Sequence, residues 1–373
     1  DSTKLEICPA CFFNTAGAAR RSKEMPFSDA DLARQKTHEA IALTKLNMGK
    51  GDSVMSLGAP LPSISGWAIV NGSEATGAVA LNTSQVDYDD IFEYKQQHLV
   101  TYVIGTPLVV KEIGLAIEQE YGPLRKVFPN LKTAVIFGDI LPDNMRKFIK
   151  DLWGFQNVYS LYGTVEADVV GTEDPAQPGK IQLMRERLYL EFIPESEIVK
   201  EIADPDYRAK SIPVDQAKNL EIGEIVISDF SRETLPLVRY RIGDVVQIHQ
   251  ASDGDAVSVT ILGRSKNAIP VGSTFIHEFQ IDRLLSQIFK AGLIEWKLVQ
   301  REEKRQEYDL YIQIAAGSDM TPAQRFEIQS GLKKLVDADA SFDIEKIFVS
   351  QQVYAFEKIN ISGDAKARRI TLL

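Results

Sequence analysis

A chain of 373 residues, 44% hydrophobic and 25% charged, has the balance of an ordinary globular protein and the length for two domains, the first with a large core. The formal net charge of −10 leaves no basic face for nucleic acid or an anionic membrane, and no apolar run of about 18 residues marks a membrane span. Two cysteines, Cys8 and Cys11, give no disulfide framework, which fits a reducing, cytoplasmic setting. A structural zinc needs four ligands, and His38, His98, His249 and His277 are scattered, so the cysteines read as buried thiols.

In chain order, Leu5 to Ile7 leads into Cys11-Phe12-Phe13, read as a buried strand. The small residues from Asn14 through Thr15, Ala16 and Gly17 to Ala19 follow, with Arg20 and Arg21 behind them. Such a loop lets backbone N–H groups approach a phosphate. Ser28 caps a helix that runs through Leu43. Gly51 to Leu57 reads as turn and strand, Gly58 to Gly66 as a Pro/Gly/Ser-rich loop before Trp67, and Gly77 to Leu81 as the next strand. A helix near Asp90 to Gln97, a strand from Leu99 to Ile104 and a loop at Gly105-Thr106-Pro107 continue a βαβα rhythm. In parallel sheets of that kind, ligands sit in the loops beyond the carboxyl ends of the strands. Lys132 to Phe137 is a buried strand closed by Gly138-Asp139, Pro142 starts a helix to Trp153, and Gln156 to Leu161 is a strand followed by Tyr162-Gly163-Thr164-Val165-Glu166.

From Leu183 the pattern turns all-β. Its strands are Leu188 to Phe192, Gly223 to Ser228, Val245 to Ile248 and Val257 to Leu262, with a polar loop from Asp204 to Asn219. Gly263-Arg264-Ser265-Lys266-Asn267 is a polar break. Beyond it, a helix (Ile281 to Ile288), a strand (Glu307 to Ile314), a helix (Pro322 to Val336) and a strand (Ile344 to Val349) make a compact second unit. The expected fold class is α/β. A large N-terminal domain, 1–263, has mixed, mostly parallel sheets covered by helices plus a β-rich subdomain, and a small α+β C-terminal domain spans 264–373.

The stretch from Pro236 to Asp244 joins an apolar strand to a glycine and a carboxylate, which predicts a strand-to-strand turn with Asp244 facing a ligand. A carboxylate suits two ribose hydroxyls. Arg239 and Arg241 suit phosphate, or pair structurally with nearby acids. Taken in order, Ile136 to Pro142, Tyr162 to Glu166 and Ser231 to Asp244 resemble the motifs of the adenylate-forming enzymes. The branch they most resemble is the phenylacetate–coenzyme A ligases, whose TREAMPLIRYRTGD is close to the last of the three. The resemblance runs over nearly the whole chain, which is shortened at its N-terminus relative to that branch.

The resemblance implies ATP, Mg²⁺ and a small aromatic carboxylate as ligands, with the acyl-adenylate passed to coenzyme A or to a partner enzyme. It puts Gly138 and Asp139 along the adenine pocket, Tyr162 and Gly163 against adenine, Asp244 on the ribose and Glu166 on Mg²⁺, with Glu166 counted among the catalytic groups. Asn14, Thr15 and Gly17 take the place of the phosphate loop. It makes Gly263 to Asn267 the joint between the domains, with Arg264 at the nucleotide and Asn267 near the pivot of the small domain, and Lys366, in a tail similar to GKAKR, the catalytic lysine. Trp67 falls in the acyl-pocket region. The departures are Asn14 for the loop's first glycine, Ala16 for its second threonine, and Val165 and Ile242 where threonines are usual. By size and departures the chain also resembles atypical adenylating proteins of phenazine antibiotic biosynthesis, which implies an aromatic dicarboxylate and a downstream reductase. The competing reading is a degenerate member that binds nucleotide, ligand or partner without ligase chemistry, and a homodimer is compatible with either.

Overall fold

The computed structural model describes residues 9–14, 23–81, 89–93, 95–250, 257–271, 274–289, 293–301, 304–315, 319–335, 343–352 and 370–371. The chain opens with a small antiparallel pair, β1 (Cys11–Asn14) and β2 (Glu24–Phe27). Helix α1 (Asp29–Lys45) starts in a capping box. The Ser28 hydroxyl accepts from the Asp31 N–H, and the Asp31 carboxylate accepts from the Ser28 N–H in return.

An alternation of strands and helices follows: β3 (Ser53–Leu57), α2 (Ile64–Ala75), β4 (Val79–Leu81), α3 (Asp89–Glu93), β5 (Tyr102–Gly105), α4 (Pro107–Tyr121), α5 (Leu124–Val127), β6 (Thr133–Phe137), α6 (Asp143–Trp153) and β7 (Asn157–Thr164). Strands β4, β3, β5, β6 and β7 are neighbours in that order and all parallel. Helices cover this part, so its strands read as unbroken apolar runs: Ala134, Val135 and Ile136 are all buried. Met145, Ile149 and Trp153, four apart, form the buried stripe of α6, and the Trp153 indole N–H donates to the Val110 carbonyl at 3.0 Å.

The same sheet then continues antiparallel. It takes in β8 (Asp168–Asp174), β9 (Gln177–Leu183), β10 (Tyr189–Pro194), β11 (Ile212–Pro213), β12 (Ile222–Asp229), β13 (Leu237–Gln250) and β14 (Val257–Arg264), with α7 (Glu195–Ala203) after β10. The result is a single 12-stranded mixed sheet, order β11-β10-β12-β13-β14-β9-β8-β7-β6-β5-β3-β4. The β-rich part is therefore an extension of the parallel sheet. After β14 come a short 3-10 turn, the pair β15 (Ile269–Val271) and β16 (Thr274–Ile276), and α8 (Glu278–Phe289). A four-stranded sheet closes the chain, built from β17 (Leu293–Arg301), β18 (Lys304–Ala315), β19 (Asp343–Gln352) and β20 (Ile370–Thr371), with α9 (Pro322–Lys333) between β18 and β19. It has its own core, in which Ile281, Leu285, Trp296, Leu310, Ile328 and Leu332 pack together. No helix among the described residues is long and apolar enough to cross a membrane.

Several expectations are corrected. Asp244 does not sit at a strand-to-strand turn. It lies inside β13, a continuous strand of 14 residues that bends where Gly243 takes φ of 82°. The strand at Cys11 is half exposed, because Phe13 faces the core while Phe12 is 56% exposed. The Pro/Gly/Ser-rich loop ends early: Ser63 caps α2, which contains Trp67. At Gly105-Thr106-Pro107 the Thr106 hydroxyl caps α4, so that loop is a helix start. Strands β2, β8, β9 and β17 and helix α7 were not expected, since each is short, polar on one face or flanked by weak turn residues.

Candidate functional site

The candidate residues gather where β7 leaves the parallel part of the sheet. Phe137 pairs with Leu161, so Gly138 and Tyr162 lie at the same level on adjacent strands, at the carboxyl end of β6. Gly138 has φ of 82°, and the Asp139 carboxylate accepts from the Ile140 N–H at 2.8 Å, which fixes the turn after β6.

Tyr162 is 6% exposed, its ring packed in a cluster with Ala167 and Ile242. Its hydroxyl donates to Asp244 Oδ2 at 2.8 Å. Asp244 and Arg264 face each other across β13 and β14, and Arg264 Nε lies 2.8 Å from Asp244 Oδ1. Arg264 also donates to the Ile242 carbonyl at 2.9 Å. Both carboxylate oxygens of the 5%-exposed Asp244 are thus oriented from within the sheet. Burial, and then the Asp244 charge, push the Tyr162 phenol well above its ordinary value, so it remains a donor at any working pH.

Glu166 lies on the short turn between β7 and β8, and Tyr240 donates to its Oε1 at 3.0 Å. Burial and the Glu166 carboxylate push the Tyr240 phenol up to about 12. Lys23 Nζ lies 3.5 Å from the Tyr240 hydroxyl and 5.8 Å from the ring centroid. The turn itself is tight. A side chain on Gly163 would bring its Cβ to 2.8 Å from the Asp168 carbonyl, and Asp168 takes φ of 55°.

The half-buried Arg187 and the buried Arg232 hold this turn from behind. Arg187 donates to the Ala167 carbonyl at 2.7 Å and to the Val169 carbonyl, and pairs with Asp229 at 2.8 Å. Arg232 donates to the Val165 and Glu166 carbonyls at 3.2 and 2.8 Å. Asp31, at the start of α1, accepts from the Glu233 and Thr234 N–H groups and from the Thr234 hydroxyl, so the segment bearing Arg232 is itself anchored.

Of the residues expected at a nucleotide, the structure brings together Gly138, Asp139, Tyr162, Gly163, Glu166, Asp244 and Arg264. Asn14 ends β1, where its N–H donates to the Pro62 carbonyl at 2.8 Å. Thr15, Gly17, Arg20, Arg21 and Lys366 lie outside the described residues. Arg239 and Arg241 are structural pairs. Arg239 meets Glu191 at 3.2 Å, while Arg241 grips Glu224 with two bonds and Glu201 with a third. Trp67 sits on the first turn of α2 with its ring 6.3 Å from that of Phe13, in an apolar cluster that also holds Phe27 and Val165.

Sequence reasoning missed Tyr240, Lys23, Arg187, Arg232 and Asp31. Only Tyr240 carried a usable signal, since it alternates with Ile242 and Asp244 along one strand. Among the described residues no group of three His, Cys, Asp or Glu could hold a metal, and Cys11 is a free thiol. A single carboxylate such as Glu166 still suits Mg²⁺, which takes one or two protein oxygens and completes its shell with phosphates and water. The donor set therefore fits an ion carried by a nucleotide.

No family model and no curated protein matches the chain. Solved structures do. A 2-hydroxyisobutyryl-CoA ligase in the postadenylation state, in complex with 2-HIB-AMP, superposes with a TM-score of 0.72 at 16% identity, over 97% of this chain and 73% of that one. ATP-bound MatB from Rhodopseudomonas palustris gives 0.65 at 15% identity, over 94% and 66%. The acyl acid amido synthetase GH3.15 gives 0.63 at 13% identity, over 92% and 74%. The mixed sheet, its helices and the closing four-stranded unit share the fold of these solved structures.

Proposed function

We propose that the chain activates a carboxylic acid with ATP to give an acyl-adenylate. The observation that carries this reading is the Asp244 carboxylate, buried and oriented by Arg264 and by Tyr162, which lies level with Gly138. A carboxylate accepts from several directions, and Tyr162 and Arg264 fix the direction in which Asp244 would meet the ribose hydroxyls. Adenine then lies along Gly138, Asp139, Tyr162 and Gly163, and the phosphates run toward Glu166, with Asn14, Thr15 and Gly17 assigned to bind them. Glu166 is the residue that would hold Mg²⁺ there with the nucleotide, where the ion would neutralise phosphate charge as a Lewis acid.

A substrate carboxylate oxygen attacks the α-phosphorus, the bond to the bridging oxygen of the β-phosphate breaks, and pyrophosphate leaves. Arg264 and Lys366 are assigned the cationic stabilisation of the charge that develops. The unit 264–373 is taken to move against 1–263 about Asn267, whose side chain donates to Glu278 Oε1 at 3.1 Å. The acyl group then goes to coenzyme A or to a partner enzyme such as a reductase. We take the acid to be aromatic, in the manner of the phenylacetate–coenzyme A ligases or of phenazine carboxylates. The Phe13, Phe27 and Trp67 cluster beside Val165 supports this, because flat apolar side chains suit a flat ring.

The test is pyrophosphate–ATP exchange over a panel of aromatic mono- and dicarboxylates, with hydroxylamine capture of the adenylate. Carboxylate-dependent exchange is expected, and the Asp244→Asn variant is expected to bind ATP about tenfold more weakly or worse. No exchange and no captured adenylate with any acid would sink the ligase reading. Nucleotide binding without exchange would turn it into that of a binding protein.

A further inference from the structure

We propose that Arg232 is a positioning residue that sets the spacing between the turn bearing Glu166 and strand β2, and through it the metal–phosphate geometry. The inference rests on the reading of Glu166 as the metal-holding carboxylate. Arg232 is 3% exposed, and among the described residues no carboxylate lies within ion-pair distance of its guanidinium, although Asp168, Asp31 and Asp229 act on its charge from farther away. Its hydrogen bonds go to three backbone carbonyls: Val165 at 3.2 Å and Glu166 at 2.8 Å through Nη1, and Pro26 at 2.7 Å through Nη2. The guanidinium carbon also lies 4.0 Å from the centre of the Phe27 ring. Thr234 reinforces the same point, since its hydroxyl bonds both the Pro26 carbonyl and Asp31 Oδ2.

Burying a cation to hold three carbonyls is an expensive way to pack a core, and an apolar side chain of similar size would fill the space at less cost. What the guanidinium provides, and an apolar side chain does not, is a fork of fixed geometry. One nitrogen takes the backbone of Glu166 itself, and the other takes β2, the strand that follows the Asn14 and Thr15 connection. The two elements are far apart in sequence, Pro26 against Glu166, and Arg232 is the side chain that hydrogen-bonds both. Arg187 grips the same turn at Ala167 and Val169, but it answers Asp229 and makes no bond to β2. The spacing of Glu166 from β2 is therefore set by Arg232.

The test is calorimetric ATP affinity in Mg²⁺ and in EDTA for the full chain and for the Glu166→Gln, Arg232→Lys and Arg146→Lys variants. Arg146 is the control. It is a partly buried arginine on α6 that pairs with Glu173 at 2.8 Å and does not contact the turn, so its loss reports structural damage alone. Mg²⁺ is expected to tighten ATP binding by the full chain. Arg232→Lys is expected to lose about tenfold or more of that gain, as Glu166→Gln does, while its affinity in EDTA stays within about threefold. Arg146→Lys should keep the gain. Amide hydrogen exchange across 163–169, faster in Arg232→Lys than in Arg146→Lys, is the readout that needs no nucleotide. Arg232→Gln is measured in parallel, so that a lysine variant that fails to fold still leaves a decision.

If Arg232→Lys and Arg232→Gln retain the Mg²⁺ gain while Glu166→Gln loses it, the positioning role is overturned and the reading of Glu166 stands. If Glu166→Gln retains the gain, or the full chain shows none, the metal reading falls and this inference falls with it.

Discussion

Glu39 shows how a single residue away from the site sets a pH dependence. It lies on the buried face of α1, and a side chain on Gly72 of α2 would bring its Cβ to 2.3 Å from the Glu39 Cγ. Burial, and then the Asp168 charge, push its carboxyl up to about 7. A folded-state value raised above the ordinary 4.5 means that the folded chain binds more protons than the unfolded one between these limits. Stability from this group is full below about 4.5 and is lost as pH rises through about 7, by on the order of 3 kcal/mol. Glu39→Gln is expected to flatten the fall of Tm between pH 5 and pH 8, as read by thermal melts at both. An unchanged slope would show that Glu39 does not titrate there. At this scale the candidate site was partly legible. Tyr162, Glu166 and Asp244 stand in recognisable motifs, but their partners Tyr240, Arg232 and Arg264 come together only in the folded chain, by sheet register or by loop contact.

Elements were legible where one signal dominated. The apolar runs of β3, β5 and β6 and the stripe of α6 announce themselves, and so does the Ser28 cap of α1. Where two signals competed, the local reading lost. Thr106-Pro107 has the composition of a ligand loop and is the start of α4, with the Thr106 hydroxyl accepting from the Val109 N–H. Thr106→Ala is expected to cost about 1 kcal/mol in urea denaturation with the slope unchanged. A loss under a few tenths would mean that Pro107 alone suffices to start the helix. Gly243-Asp244 likewise has the composition of a turn. β13 nonetheless runs through it, because β12 and β14 pair on either side and the glycine absorbs the bend.

For the whole molecule, Asp31 is the joint that ties the beginning of the chain to the segment after β12. Burial alone would raise its carboxyl. Bonds from the Thr234 hydroxyl and from the Glu233, Ser28 and Thr234 N–H groups outweigh burial and hold it at about 2, below the ordinary 3.8. A depressed value contributes stability above the unfolded-state value and loses it as pH falls from about 4 toward about 2. The amount is on the order of 2 kcal/mol. Acid unfolding followed by circular dichroism should therefore begin at higher pH in Asp31→Asn. A coincident curve would remove Asp31 from the acid response.

By itself the sequence determined the α/β class, most strands and helices, the order of the nucleotide-like motifs and the net acidic charge. Apolar periodicity, caps and glycines act over a few residues and can be read there. Only the tertiary structure decided what the charged side chains do. Arg239 and Arg241 are taken by Glu191, Glu201 and Glu224, while Asp244 is oriented by Tyr162 and Arg264. Arg232 bridges Pro26 and Glu166. A charge finds its partner by sheet register and by contacts that span up to about 200 residues of chain, and no local pattern encodes that distance.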